Sequence, residues 1–421
     1  MTIQKDYVTR IHSSPLEIDA QQWNALLATS DAPTPFMRHE YLTALHASGS
    51  AVAERGWLPQ FIALYSKDEK ELLAACPLYV KDHSYGEYVF DWAWARAYQE
   101  NGLPYYPKAV VAVPFTPVPG SRFLSKNGFS PAYLLREVLS FCELHNLSSL
   151  HALFASEADQ AAASAAKLRL RETVQFHWAN QNYASFDEYL ASLSQDKRKK
   201  IRAERRKVSD AGVTWRSSRG DQTTDADWDF FYTCYERTYL EHGNAPYLSR
   251  EFFQAMQRDM PQSWLLFIAE RAGNPIASSL IALYEPEVTI NSIALRAYSM
   301  PATPSKSFKK VAYGRYWGAV ARVDSLHFEA CYYQPLQWCI EHGFDRFEGG
   351  AQGEHKMARG LLPVVTRSAH WLAHPQFASA VDRFLERERA GIGEYVDHLA
   401  QRNPFREAAA PFQNARPKDL G

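Results

Sequence analysis

The chain has 421 residues, enough for two domains or one large duplicated unit. Its 46% hydrophobic and 22% charged content is that of a soluble globular protein. The net charge of −1 excludes binding a polyanion through a global field, so any such site must be a local patch.

No N-terminal basic segment followed by an apolar core is present, so no signal peptide is expected. No run of about 18 apolar residues occurs, so no membrane span is expected. Cys76, Cys142, Cys234, Cys331 and Cys339 are odd in number and form no CxxC, which points to a reduced, cytoplasmic compartment.

In chain order, Gln21–Ala28 reads as a helix with Trp23, Leu26 and Leu27 on one face, and Pro35-Phe36 opens a second helix through Leu45. Leu58–Tyr65 and Leu72–Val80 read as strands joined by a polar turn at Lys67–Lys70. Tyr85–Pro107 is aromatic and resists assignment. Ala109–Val113 is a short strand running into PFTPVPG (114–120), whose prolines and glycine force a loop. A helix over Pro131–His145 and a strand over Ser149–Ala155 follow.

The pattern then recurs. Trp228 starts a helix as Trp23 does, and Pro246–Phe253 parallels Pro35–Leu42. Trp264–Ala269 parallels Trp57–Ala63, and Pro275–Tyr284 parallels Leu72–Val80. Phe141-Cys142 with His145, Leu147 and Leu150 parallels Trp338-Cys339 with His342, Phe344 and Phe347. Five matches in one order argue for two copies of one α/β unit with a mixed, mostly antiparallel sheet. The expected division is 1–175, then 176–375, then a C-terminal helix and tail over 376–421. An insertion at about Glu285–Lys310 is expected in the second copy.

Between the copies, Ser185 and Glu188 form a capping-box pattern, and Leu190, Leu193, Ile201 and Val208 fall on one helical stripe. Eight cations stand in the 11 residues 197–207 and only Glu204 offsets them, so the helix reads either as a phosphate site or as a solvated surface. The phosphate reading rests on Lys199, Lys200, Arg202 and Arg206.

Residues 326–365 read as loop, helix, strand, loop. Gly343 stops the helix, Phe344–Glu348 alternates as a strand, and Gly349, Gly350 and Gly353 permit close backbone approach to a ligand. Gln352, Glu354, His355, Lys356 and Arg359 crowd this glycine segment. His327, Glu329, Glu354, His355 and His370 lack HxxxH or HExxH spacing, so no metal is assigned. Neither GxGxxG nor GxxxxGK[ST] occurs.

The doubled unit, together with VPFTPVPG, KRKKIRAER, YGRYWG, LHFEACYYQ and EGGAQGEHKMARG, resembles the FemAB-like group of bacterial proteins over roughly residues 15–400. That group is similar to the Fem aminoacyl-transferases, whose fold is two tandem GNAT (acyl-CoA N-acyltransferase) units. The resemblance implies an α/β (α+β) fold of tandem GNAT-like units with mostly antiparallel sheets flanked by helices. It implies an N-acyltransferase with no tightly bound cofactor, using acyl-CoA or aminoacyl-tRNA as co-substrate and a cell-wall precursor or small metabolite as amine acceptor, with tRNA among its partners. A non-catalytic ligand-binding protein of the same fold is the alternative.

Amide formation needs a proton acceptor for the amine, a stabiliser for the tetrahedral oxyanion and a proton for the leaving group. Glu329, Glu348, Glu354 and His355 are candidate bases, Lys356 and Arg359 candidate anion stabilisers, and Tyr332 or Tyr333 a candidate proton donor. Lys356 resembles in position the lysine that follows the glycine segment in Fem enzymes. Arg315, within YGRYWG, reads as an anion clamp or as cation–π packing. Arg315, Tyr316, Trp317, His327, Gln352, Glu354 and Arg359 are the expected substrate contacts, lining a cleft between the two units.

Overall fold

The computed structural model describes residues 6–286, 310–351 and 353–406; Gln352 and most of the expected insertion lie outside them. By contacts the chain divides into one unit of residues 1–174, 245–261 and 365–398, and another of 175–244, 262–364 and 399–421. This differs from the contiguous division expected, and apolar burial is the reason. Helix α9 (Arg250–Asp259) buries Phe252, Phe253 and Met256, with Phe252 edge-on to Tyr41 of the first unit at 5.3 Å. The C-terminal helix Pro375–Ala400 packs Ala378, Val381 and Leu385 with Trp94, Tyr98 and Tyr105, also of the first unit.

In the first unit, α1 (Ala20–Thr29) and α2 (His39–Ala47) precede an antiparallel hairpin. Each hairpin strand is broken. Phe61–Ser66 and Leu72–Cys76 (β3, β4) join one sheet with β1 (Tyr7–His12), while Leu58–Pro59 and Leu78–Lys81 (β2, β5) join another. Pro77, without an N–H, cannot continue the ladder, so the uninterrupted strand expected over Leu72–Val80 splits there. Helix α3 (Trp92–Glu100) occupies the unassigned aromatic stretch. Strand β6 (Lys108–Val111), a short β7 (Leu124–Ser125), α4 (Pro131–Leu144) and β8 (Ser149–Ala152) follow, with β6 and β8 parallel.

The second unit repeats this order. α6 (Phe186–Ser192), α7 (Gln195–Asp210) and β10 (Val213–Arg219) lead into α8 (Asp225–Glu241), the hairpin β11–β12 (Trp264–Arg271, Asn274–Tyr284) and β13 (Val311–Ala319). After the helix Gln334–Glu341 comes β14 (Arg346–Ala351), parallel to β13. The helix ends match closely. Phe141 O accepts from His145 N and Cys142 O from Leu147 N, just as Trp338 O accepts from His342 N and Cys339 O from Phe344 N. The residue past each cap is left-handed, Asn146 at φ 52° and Gly343 at φ 66°, the two residue types that tolerate it best.

Each unit is completed by a strand from elsewhere in the chain. The 175–179 end of β9 (Arg169–Ala179), which follows the first copy, pairs antiparallel with β14 of the second unit. The 369–372 end of β15 (Leu362–Leu372), which follows the second copy, pairs antiparallel with β8 of the first.

Candidate functional site

The pairing of β13 and β14 is short. Only Val311–Tyr313 and Arg346–Glu348 are in register, although β13 runs on to Ala319 and β14 to Ala351. Where the strands part, a cavity of about 410 Å³ opens, lined by residues of the second unit alone. This pocket lies inside one unit, whereas the sequence led to a cleft between the two.

Two sequence features shape it. First, the β12–β13 register jumps from Leu280↔Tyr316 to Ile281↔Gly314, which leaves Arg315 as the extra residue of a bulge. Strict alternation fails there, and Gly314, Arg315, Tyr316 and Trp317 all reach the pocket. Second, a Cβ on Gly318 would stand 2.0 Å from the Cys234 carbonyl oxygen. The missing side chain lets β13 lie against α8, and Thr238 Oγ donates to Trp317 O at 3.0 Å. That contact brings Tyr235, Thr238 and Tyr239 into the lining. Sequence reasoning missed this α8 wall; the glycine opposite an aromatic helix was the available signal.

The segment Leu326–Tyr333 is helical, where a loop was expected. Leu326–Phe328 is one α-turn and Glu329–Tyr333 a π-helix. Wide turns of this kind concentrate at functional sites. Here they direct His327, Cys331 and Tyr332 into the cavity. Tyr332 Oη lies 3.2 Å from His355 Nε2. Burial, reinforced by His355, Arg359 and Lys356 nearby, lowers the His327 pKa to about 4 and keeps the ring neutral. Burial also lowers His355 and raises the Tyr332 phenol.

Lys356 lies in a short 3₁₀ stretch, Glu354–Arg359, and is 6% exposed. Its ammonium donates to Gly350 O at 3.2 Å and Ala351 O at 2.8 Å, so the glycine segment holds it through backbone carbonyls. Burial brings its pKa down to about 8. Gly349 is required beside it, because a Cβ there would meet Leu361 Cδ2 at 2.5 Å.

The expected carboxylates are elsewhere. Phe347 and Gly349 line the pocket, so Glu348, one step along the strand between them, faces the other side. It pairs with Arg346 at 2.8 Å and approaches His177 at 3.8 Å. Glu329 is buried against Arg205 at 3.0 Å and Gln334 at 2.8 Å, and burial raises its pKa despite that arginine. Glu354 pairs with Arg402 at the surface at 2.5 Å. Arg359 is 1% exposed, donates to Glu204 at 2.8 Å and to His355 O at 2.7 Å, and lies over the Phe328 ring at 3.6 Å. It braces the segment and stands outside the pocket lining. Of the expected residues, Arg315, Tyr316, Trp317, His327, Tyr332 and Lys356 share the pocket; Glu348, Glu329, Glu354 and Arg359 do not. His355 stands behind Tyr332.

Helix α7 does not share a stripe with Leu190 and Leu193, because α6 ends at Ser192. It buries Ile201, Glu204 and Val208. Glu204 therefore faces inward, accepting from Arg359 and Tyr333 Oη, and does not offset the outer cations. Lys199, Lys200, Arg202 and Arg206 are exposed; Arg202 comes within 3.6 Å of Asp187.

Chemically, the pocket offers an ammonium for an oxyanion, a phenol hydrogen-bonded to an imidazole as a proton path, and aromatic walls. The FemAB-like family, described as peptidoglycan biosynthesis/recognition, matches residues 14–289 and 296–407. No curated protein matches the chain. Among solved structures, L-PGS from Bacillus licheniformis is 12% identical over 89% of this chain and 99% of that one, with a TM-score of 0.51. FemX is 10% identical over 86% and 98%, also at 0.51. A tandem GNAT protein from the clavulanic acid biosynthesis pathway is 12% identical over 88% and 99%, at 0.42.

Proposed function

Because the chain belongs to the FemAB-like family, we propose that it is an N-acyltransferase that moves an acyl or aminoacyl group from an activated donor to an amine. The observation that carries this is Lys356, buried at the mouth of a glycine segment and aimed into a pocket where two parallel strands part. As the amine attacks the donor carbonyl, negative charge gathers on its oxygen, and a fixed ammonium in a dry site stabilises that charge far better than water does. The hydrogen-bonded pair Tyr332–His355 takes up the proton that the attacking amine releases and returns one to the departing thiol or hydroxyl, so that the pair ends as it began. Acyl-CoA and aminoacyl-tRNA are the donor classes, and cell-wall precursors or small amines the acceptors.

One observation favours the second reading, a ligand-recognition protein on the same fold: among the described residues no carboxylate lines the pocket to serve as base. A mass-spectrometric donor screen separates the two. Acyl-CoAs and charged tRNAs are each incubated with the protein and a panel of amines. Transfer from one donor class, lost in Lys356→Met, is the expected result. Transfer that survives in Lys356→Met removes the assigned role, and no transfer from either class leaves recognition as the function.

A further inference from the structure

Three buried carboxylates, in β14, the π-helix and α7, lie outside the lining, and each is bound to its own arginine. Glu348 pairs with Arg346, Glu329 with Arg205 and Glu204 with Arg359. What remains in the lining, among the described residues, is two cations, Arg315 and Lys356, with histidine, tyrosine and apolar groups. Among the described residues Lys356 pairs with no carboxylate; backbone carbonyls, the Cys331 thiol and the His327 and His355 imidazoles surround its charge. Burial keeps that thiol protonated, so it offers no counter-charge. A buried ammonium without an anionic partner is costly unless a ligand provides one.

The walls further restrict what that ligand is. Tyr235, Tyr239, Tyr316, Trp317 and Phe347 present ring faces and edges. A hydrated polyanion loses more on entering such a space than a carboxylate on an apolar body does. The bulge at Arg315 adds a planar guanidinium, the donor that matches a carboxylate's two oxygens.

We propose that this pocket takes the substrate partner that bears a carboxylate on an apolar, ring-sized body, with the Arg315 guanidinium as its hydrogen-bonding anchor and Lys356 as the second positive charge, the one ammonium N–H not held by Gly350 O and Ala351 O staying with the oxyanion, and that it rejects cationic groups. The inference rests on the acyl-transfer reading only for the word substrate; as a binding property it stands apart from it. An acyl or acceptor group ending in an ammonium, such as a lysyl side chain, has no acid in this lining to receive it.

The test is titration calorimetry of the full chain with hippurate, N-acetylphenylalanine, their neutral amides, phenethylamine and phenyl phosphate. At least one of the two acids is expected to bind tenfold or more tightly than its amide, with phenethylamine silent. Lys356→Met and Arg315→Gln are each expected to weaken the acid by tenfold or more and to leave the amide unchanged, while Lys356→Arg retains the preference. Because the anchoring form of Lys356 is the ammonium, affinity for the acid is expected to fall above about pH 8 in the wild type and not in Lys356→Arg. Neither acid binding, the amide equalling the acid, or phenyl phosphate exceeding the acids tenfold would each overturn the proposal. A chain that transfers acyl groups without the acid preference refutes this inference alone. One that shows the preference yet transfers nothing refutes the transferase alone.

Discussion

The parallel strand pairs β6–β8 and β13–β14 occupy the same place in two copies of one topology, and they hold opposite kinds of chemistry. In the second unit the pair parts and leaves a cavity. In the first, charge is buried about the start of β6, on the face that carries Glu348 in the second. Lys108 donates to Asp91 at 2.5 Å, Glu87 at 2.8 Å and Ser84 at 2.7 Å, and Lys81 lies 3.9 Å from Glu87. Tyr105 joins this group to His151, and His151 Nδ1 meets His370 Nδ1 at 2.7 Å. Against the push of burial, Lys108 and His151 hold the Asp91 carboxyl well below its usual range. Every charge there answers another, whereas Lys356 answers none. Internal pairing gives the first unit's cluster the character of scaffold, whereas in the second unit Lys356 stands beside open space.

The same comparison settles the standing of Glu348. It faces His177 across β14–β9, and the equivalent residue of the first copy, His151, faces His370 across β8–β15. Both copies thus keep a cross-strand polar pair at this register, on a buried face of the sheet. Glu348 belongs to that repeated device, not to the divergent pocket.

The largest effect that would break this contrast lies in the first unit. Lys108→Met leaves Asp91 and Glu87 buried without their cation. It should cost about 3–5 kcal/mol in denaturant unfolding, the usual loss when one partner of a buried pair is removed. A loss under about 1 kcal/mol would mean the cluster is not scaffold. In the second unit, Glu204→Gln leaves Arg359 with a weaker partner and should cost about 2–4 kcal/mol. It should also loosen the 354–359 segment that carries Lys356, seen as faster amide exchange confined to that segment. Unchanged exchange there would show that Arg359 braces nothing.

Lys356 should respond with the opposite sign. Its pKa of about 8 lies below the roughly 10.4 of an unfolded lysine, so between those values the unfolded chain binds more protons. Stability contributed at this site therefore rises with pH from about 8 to about 10.4, and below pH 8 the charged form is a net burden. Lys356→Met should stabilise the protein by about 1–3 kcal/mol at pH 7, an advantage that fades by pH 10. A destabilised variant with an unaltered pH profile would place Lys356 among the scaffold residues and cancel the contrast.

Sequence legibility followed the physics of each feature. The duplication could be read because helix ends and hairpins are local, and local residues such as Cys142–His145 and Cys339–His342 repeat with their hydrogen bonds. Lys356, Tyr332 and the 315–317 strand could be read because glycines and aromatics crowd them. The exchange of β9 and β15 could not, since strand pairing is long-range and either partner satisfies the pattern. Nor could the direction of Glu348, Glu329 and Arg359, because a charged side chain's role depends on which face a register or a helical turn gives it.

The smallest stability effect sharpens the comparison from outside the pocket. On α7 the outward cations Lys199, Lys200, Arg202 and Arg206 bear on solvent, while Ile201, Glu204 and Val208 carry the packing. Changing all four cations to Ser should move unfolding free energy by no more than roughly 0.5 kcal/mol per site, because exposed positions away from caps and cores seldom matter more. Binding is where they should count. A ligand with one or two charges loses affinity gently with salt. A tRNA that engages several of these cations should lose it by orders of magnitude between about 50 and 200 mM, because each phosphate contact releases counterions. In the Ser variant that steep dependence should flatten by roughly one unit of logarithmic slope for each cation removed. Filter binding of wild type and variant across the salt range reads both numbers. If the variant holds every ligand class as tightly as wild type at low salt, α7 is a solvated face, and the pocket must recognise its donor without help from the helix.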